Sequence, residues 1–155
     1  MGRHISNRYS DLWKSERWKQ HEKNLFRLQR RVYKAVRVGD LKKARSLQKL
    51  IMKSRSAQLL AVRQVTQLNQ GKRTAGVDGK ASLNYKERFQ VLEKLGSSAE
   101  NWTHQGLREI PIAKKNGSTR MLKVPTIQDR AWQCLAKYTL EPAHEATFSA
   151  YSYGF

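Results

Sequence analysis

From Asp11 to Asn69 apolar residues recur every three or four positions, and most of what lies between them is basic. Leu25, Leu28, Val32 and Val36 form one stripe, extended by Phe26, Gln29 and Tyr33. Lys23, Arg27, Arg30, Arg31, Lys34 and Arg37 cover the other sides. A period near 3.6 buries one side of a helix and cannot be satisfied by a strand, so the spacing predicts a helix from about Asp11 to Arg37. Gly39 supplies the stop and Asp40 a cap for the next helix. That second helix starts at Leu41, with Leu41, Ala44, Leu47, Leu50 and Ile51 inward and Lys42, Lys43, Arg45, Lys49 and Lys53 outward. "SRSAQLLAVRQVTQLNQG" reads as a third, with Ser56 as its cap and Gly71 as its end.

Beyond residue 71 the rhythm changes. "GKRTAGVDGKASLN" has turn residues and no period, which predicts a loop. A shorter helix follows at about Tyr85–Leu95, with Phe89, Leu92 and Leu95 as its apolar positions. "LREIPIA" and "TRMLKVP" then flank "KKNGS", and Asn116-Gly117 between extended segments is a strong hairpin signal. Thr126 can cap a helix from Ile127 to about Leu140, with Ala131, Leu135 and Tyr138 inward. Pro142 suits the first turn of one more short helix ending near Phe148. The fold class is α+β, predominantly α: a basic helical segment over residues 1–73, then residues 74–155 with one β-hairpin.

Charge narrows the class of partner. The chain of 155 residues carries a net charge of +19. Residues 1–73 hold 20 basic against four acidic side chains, and residues 74–155 hold 11 against eight. A charge so lopsided repels itself unless a polyanion neutralises it, which makes nucleic acid the expected partner. A single cysteine, Cys134, excludes a disulfide framework. No apolar run reaches the ~18 residues of a membrane span, so no membrane partner is expected. The start, "MGRHISNRYSD", lacks the apolar core of a secretory signal.

Three constellations stand out. The Lys/Arg faces of the first two helices are suited to lie along phosphates, structured RNA read by shape as much as DNA. A solvated exterior is the duller alternative, but exteriors normally mix signs. Lys114 and Lys115 precede the hairpin turn, and Arg120 and Lys123 lie on the returning strand. They could clamp a triphosphate or a phosphate backbone, or they could simply guard strand edges against aggregation. "TAGVDG", residues 74–79, could offer backbone amides to phosphate or be a plain turn; it is no phosphate loop, since no Gly-Lys-Ser/Thr follows. "HEATF" has Phe148 where a zinc-protease pattern needs its second histidine. His4, His21, His104 and His144 are scattered, and no aspartate pair is placed to hold two metal ions. No catalytic or metal-ligating set is expected here.

Together, "RLQRRVYKAVRVGDLKKARSLQKLIMKSRSAQLLAVRQVTQLNQGKRTAGVDG", "IPIAKKNGSTRMLKVPTIQDRAWQCLAKYTLEP" and "SYGF" closely resemble the N-terminal part of group II intron-encoded reverse transcriptase/maturases. The likeness runs from about Trp18 to Phe155. It implies an RNA-binding N-terminal domain over 1–73 and a fingers portion of the reverse transcriptase domain over 74–155. The implied RNA-binding residues are Arg27, Arg30, Arg31, Lys34, Lys42, Lys43, Arg45, Lys49, Arg63, Lys72 and Arg73. The family's nucleotide-contacting lysine and arginine fall on Lys114 and Arg120. Thr74, Gly76, Asp78 and Gly79 fall on its motif loop, and Asp129, Arg130 and Gln133 on its post-hairpin helix.

Departures occur where the family commonly reads Arg-Pro-Leu-Gly-Ile-Pro and this chain has Arg120-Met121-Leu122-Lys123-Val124-Pro125, and where Ile112-Ala113 replaces a Pro-Lys pair. The resemblance implies group II intron RNA and template–primer as partners, with a palm-containing polypeptide to complete the enzyme. The family's palm, with its metal-binding aspartates, would follow "SYGF". Mg2+ and dNTP are therefore expected only with that palm, and the chain alone is expected to bind no cofactor and not to polymerise. The alternative is a stand-alone RNA-binding or splicing-assisting module, or a remnant with no polymerase partner. The bacterial, cyanobacterial style of the sequence suggests the cytoplasm, with an organelle as the alternative compartment.

Overall fold

The computed structural model describes residues 2–148, with side chains from residue 7 onward. The terminal aromatics Tyr151, Tyr153 and Phe155 lie outside the described residues. Six α-helices and one hairpin follow in the order α1 (Gly2–Lys14), α2 (Trp18–Arg37), α3 (Leu41–Lys53), α4 (Arg55–Arg63), α5 (Tyr85–Ser98), β1 (Arg108–Ala113), β2 (Thr119–Val124) and α6 (Ile127–Thr147). The class is α+β and predominantly α, as the periodicity predicts.

The first predicted helix is two. A break at residues 15–17 separates α1 from α2, and Trp13 and Trp18 close it with ring centroids 5.0 Å apart. Trp13 is fully buried, donates its indole N–H to Gln67 Oε1 at 2.9 Å, and meets Phe89 of α5 edge-on at 5.7 Å. Apolar spacing continues across the break, so period alone could not locate it. A fourth contact, to the Arg88 guanidinium 5.3 Å from the Trp13 ring, ties α5 to the same point.

Between α2 and α3 the prediction holds. Gly39 adopts φ 77° and Asp40 accepts from the Lys43 amide at 3.0 Å. Val32, Ala35, Ala44, Leu47 and Ile51 are buried, but Leu41 and Leu50 are 53% and 47% exposed, so they are not the inward positions their spacing suggests. The cap of α4 is Ser54, which accepts from the Ala57 amide, and not Ser56. Ser56 is buried within α4 and its hydroxyl meets His21 Nδ1 at 2.9 Å and accepts from Asn24 Nδ2 at 3.1 Å. The polar cluster locks the start of α2 onto α4. After Arg63 the chain widens into a π-turn over Gln64–Leu68, closed by the Asn69 amide on Gln64 O at 2.9 Å.

A single helix, α6, replaces the two predicted around Pro142. Proline has no N–H to give the carbonyl four residues back, so a proline inside a helix leaves that acceptor unpaired. Here the Tyr138 carbonyl accepts from Gln29 Nε2 at 3.1 Å, and the Thr139 carbonyl from Gln48 Nε2 at 3.0 Å. Side chains of α2 and α3 thus satisfy the last turns of α6, and the helix runs on to Thr147. One core serves the chain on both sides of residue 73, with Val32, Ile51, Leu59, Leu92, Leu95 and Leu135 among its members.

Candidate nucleic-acid interface

The outward faces of α2 and α3 carry the strongest concentration of charge. Their buried stripes fix the rotation of each helix, which leaves Arg27, Arg30, Arg31 and Lys34 on the far side of α2. In the same way Lys42, Lys43, Arg45 and Lys49 are left exposed on α3. Among the described residues none of these eight makes a salt bridge. Two helices packed against each other therefore both present cations with no acidic partner among the described residues. The other three sequence-predicted positions differ. Arg63 lies 3.6 Å from Glu22 and stacks 4.6 Å over the Trp18 ring, and Lys72 donates to Gln67 O at 3.0 Å. Arg73 is exposed in a short 3-10 turn, Gln70–Arg73.

The hairpin stands apart from the core. β1 and β2 pair antiparallel with Glu109 opposite Lys123, Pro111 opposite Met121 and Ile112 opposite Arg120. Its turn is tied by the Lys114 amide on Ser118 O and the Gly117 amide on Lys114 O, at 2.8 and 3.1 Å. Gly117 takes φ 81°, while Asn116 accepts from the Ser118 amide and hydroxyl. This is a three-residue loop, Lys115–Gly117, closed by a glycine bulge, one residue longer than a two-residue connection. Lys114 and Lys115 are exposed at the tip and Arg120 in the first half of β2. Lys123 lies 3.9 Å from Glu109; among the described residues Lys114, Lys115, Arg120 and Arg108 of the hairpin have no acidic partner, and Arg108 is spent on the Ala75 carbonyl.

What holds the hairpin's base is a carboxylate. Asp129 is 1% exposed; it accepts from the Trp102 indole at 2.8 Å and from the Gln105 amide at 2.9 Å. His104 Nδ1 lies 3.5 Å away. Thr126 caps α6 through the Asp129 amide, as the sequence predicts. Asp129 thus fastens the connector that leads into β1.

The loop over 74–79 is a packed turn. A Cβ at Gly76 would stand 2.7 Å from Thr126 Cα and 2.8 Å from Thr126 N, so only glycine fits against that backbone. Gly79 has φ 72° and open space around it, and Asp78 accepts from the Lys80 amide at 3.1 Å. Arg130 donates to Gly71 O at 2.9 Å and also to Thr74 O and Pro125 O, and Arg108 donates to Ala75 O at 3.2 Å. Partial burial holds the Arg130 guanidinium somewhat below its ordinary pKa. These two arginines, which the spacing gave no reason to single out as anchors, pin carbonyls of the loop. Thr74, the fourth of the loop positions, is half-buried.

Chemistry has few footholds. The Glu16–His21–Ser56 chain of contacts has the residue types of a hydrolytic triad, at 3.0 and 2.9 Å. Ser56 is shielded inside α4 and shares its hydroxyl with Asn24, which makes this a structural lock. Burial pushes the Cys134 thiol up, away from a reactive thiolate. Among the described residues no three His, Cys, Asp or Glu side chains cluster closely enough to hold a metal ion. No described helix is long and apolar enough to cross a membrane.

A basic helical body bearing an exposed cationic hairpin is the kind of module these features define. Residues 13–95 match the family described as the N-terminal domain of reverse transcriptase. The chain is 44% identical over 138 residues to "Maturase-like protein 1" of Euglena gracilis and 36% identical over 138 residues to that of Euglena longa. In each case the alignment takes in 89% of this chain and 30% of the relative. "Protein YkfC" of Escherichia coli (strain K12) is 34% identical over 94 residues, 59% of this chain and 25% of that protein. The chain belongs to the reverse transcriptase/maturase family and carries its N-terminal part. It spans under a third of the length of these relatives.

Proposed function

We propose that this chain is the RNA-binding and fingers portion of a group II intron reverse transcriptase/maturase, in which RNA-directed DNA synthesis and intron splicing and mobility belong to the complete protein. The observation that carries the reading is the set of eight exposed basic side chains on α2 and α3 with no acidic partner among the described residues. Phosphates of intron RNA would lie along these faces, and template–primer beneath the hairpin. Lys114 and Arg120 would meet the triphosphate of a nucleotide held by a palm, which would also supply the Mg2+ ligands. The chain by itself would bind RNA without extending a primer, in a cytoplasmic or organellar compartment.

Affinity for a structured RNA, measured against salt, tests this. A protein making about 6–10 phosphate contacts loses roughly a thousandfold or more between about 50 and 200 mM salt. A flat response refutes the reading. Arg31→Glu with Lys34→Glu should weaken binding more than Lys86→Glu with Lys137→Glu, which removes two exposed cations outside these faces. Metal-dependent incorporation of dNTP by the purified chain would refute the claim that it does not polymerise.

A further inference from the structure

Between α2 and the last turns of α6 lies a cleft of about 330 Å³, walled by Phe26, Gln29, Arg30 and Tyr33 on one side and Glu141, Pro142 and Glu145 on the other. Phe26 is 63% exposed and Tyr33 39%, two turns apart along the helix that carries the basic face. Large aromatic surface left in water on such a helix lacks a partner among the described residues. Glu141 and Glu145 are one turn apart, and among the described residues neither forms an ion pair, although Arg30 lines the same cleft. Their oxygens remain acceptors. Gln29 spends its amide N–H on Tyr138 O, so its own carbonyl oxygen is a further acceptor.

Resting on the RNA-binding reading above, we propose that this cleft takes one unpaired nucleobase of the bound RNA, and that guanine is the base it prefers. Unstacked bases are recognised by stacking on aromatic rings or guanidinium planes and by hydrogen bonds to their Watson–Crick edges. Phe26, Tyr33 and Arg30 offer those surfaces. A cleft of this size is at the small end of ligand sites and suits one base, not a base pair. Carboxylates only accept, so they select an edge made of donors. Guanine presents its N1–H and N2 amino group side by side, which matches a carboxylate with two parallel bonds. Adenine and cytosine place an acceptor nitrogen beside their amino group, and uracil flanks its N–H with carbonyls.

A cationic peptide side chain would also suit aromatic rings and carboxylates. The helix that forms one wall also carries Lys23, Arg27, Arg30, Lys34 and Arg37, which repel such a partner and draw in a polyanion.

The test uses the full chain with three probes: a single-stranded uridine-rich RNA with one guanosine, the same RNA with inosine there, and a blunt RNA duplex. Inosine keeps N1–H and lacks the N2 amino group. Phe26→Ala with Tyr33→Ala should weaken single-strand binding about tenfold and leave the duplex unchanged. Both side chains are exposed, so the fold should persist, which a circular-dichroism melt checks. Guanosine should bind more tightly than inosine, and Glu141→Gln with Glu145→Gln should erase that difference. Equal affinity for guanosine and inosine overturns the base assignment. An unchanged single-strand affinity in the aromatic variant overturns the site and leaves the cleft to a polypeptide. Glutamine variants that raise all affinities alike, with the guanosine-to-inosine ratio intact, overturn the role of the carboxylates. Loss of salt-dependent binding to every probe defeats the RNA-binding reading itself, a different outcome from any of these.

Discussion

Replacing Gln29 with alanine probes whether a side chain from outside α6 completes that helix. Pro142 leaves the Tyr138 carbonyl without its usual donor, and Gln29 Nε2 supplies one at 3.1 Å. Gln29→Ala removes a hydrogen bond with a net value of about 1 kcal/mol and leaves a half-buried acceptor short of a partner, a further cost of about 1 kcal/mol where water reaches it poorly. The expected loss is therefore about 1–2 kcal/mol. Pro142→Ala restores an N–H four residues after Tyr138, so the carbonyl regains a partner within the helix. In that background Gln29→Ala should cost about 0.5 kcal/mol, for packing alone, giving a coupling of about 1 kcal/mol. Urea unfolding of the four proteins, followed by tryptophan fluorescence with equal slopes, measures the cycle. If Gln29→Ala costs the same in both backgrounds within about 0.3 kcal/mol, the proline–glutamine argument is wrong.

Three further outcomes are expected. Gly76→Ala should destabilise by about 2–3 kcal/mol, since backbone meets backbone at Thr126, whereas Gly79→Ala should cost only about 1 kcal/mol of conformational strain; equal urea midpoints for the two variants would contradict this. Asp129→Asn turns one carboxylate oxygen into a donor facing existing donors and should cost about 2–3 kcal/mol, with a shifted Trp102 indole N–H resonance; an unmoved resonance would show that the carboxylate does not hold the connector. Glu87 is held below the ordinary carboxylate pKa, chiefly by its hydrogen bond from Lys80 at 2.7 Å and then by the Asn84 amide. Its contribution is full above the unfolded value of 4.5 and fades as pH falls through the lowered folded value. Melting temperature should thus fall less steeply on acidification in Glu87→Gln than in the parent; parallel curves would dismiss the effect.

Local chemistry wrote much of this molecule plainly. The centres of the α2 and α3 stripes, the Gly39-Asp40 junction, the Thr126 cap and the Asn116-Gly117 hairpin each depend on residues within a few positions of one another, where period and turn preference act directly; Phe26 and Tyr33, at the edge of the α2 stripe, are exposed. The basic faces were legible for the same reason, because burying one stripe of a helix leaves the opposite side to solvent. Pairings across long stretches were decided only by the tertiary structure. Leu41 and Leu50 keep helical spacing yet stay about half exposed, because no described element covers them fully. Trp13 meets Gln67 and Phe89 far along the chain, and Gln29 reaches a carbonyl more than a hundred residues away, which is what carries α6 through Pro142. Asp129 and Gly76 look like a helix-start acid and a turn glycine until the connector and Thr126 are brought against them. Sequence fixes the pattern of one element at a time; which carbonyl lacks a donor, and which side chain arrives to supply it, exists only once the elements have packed.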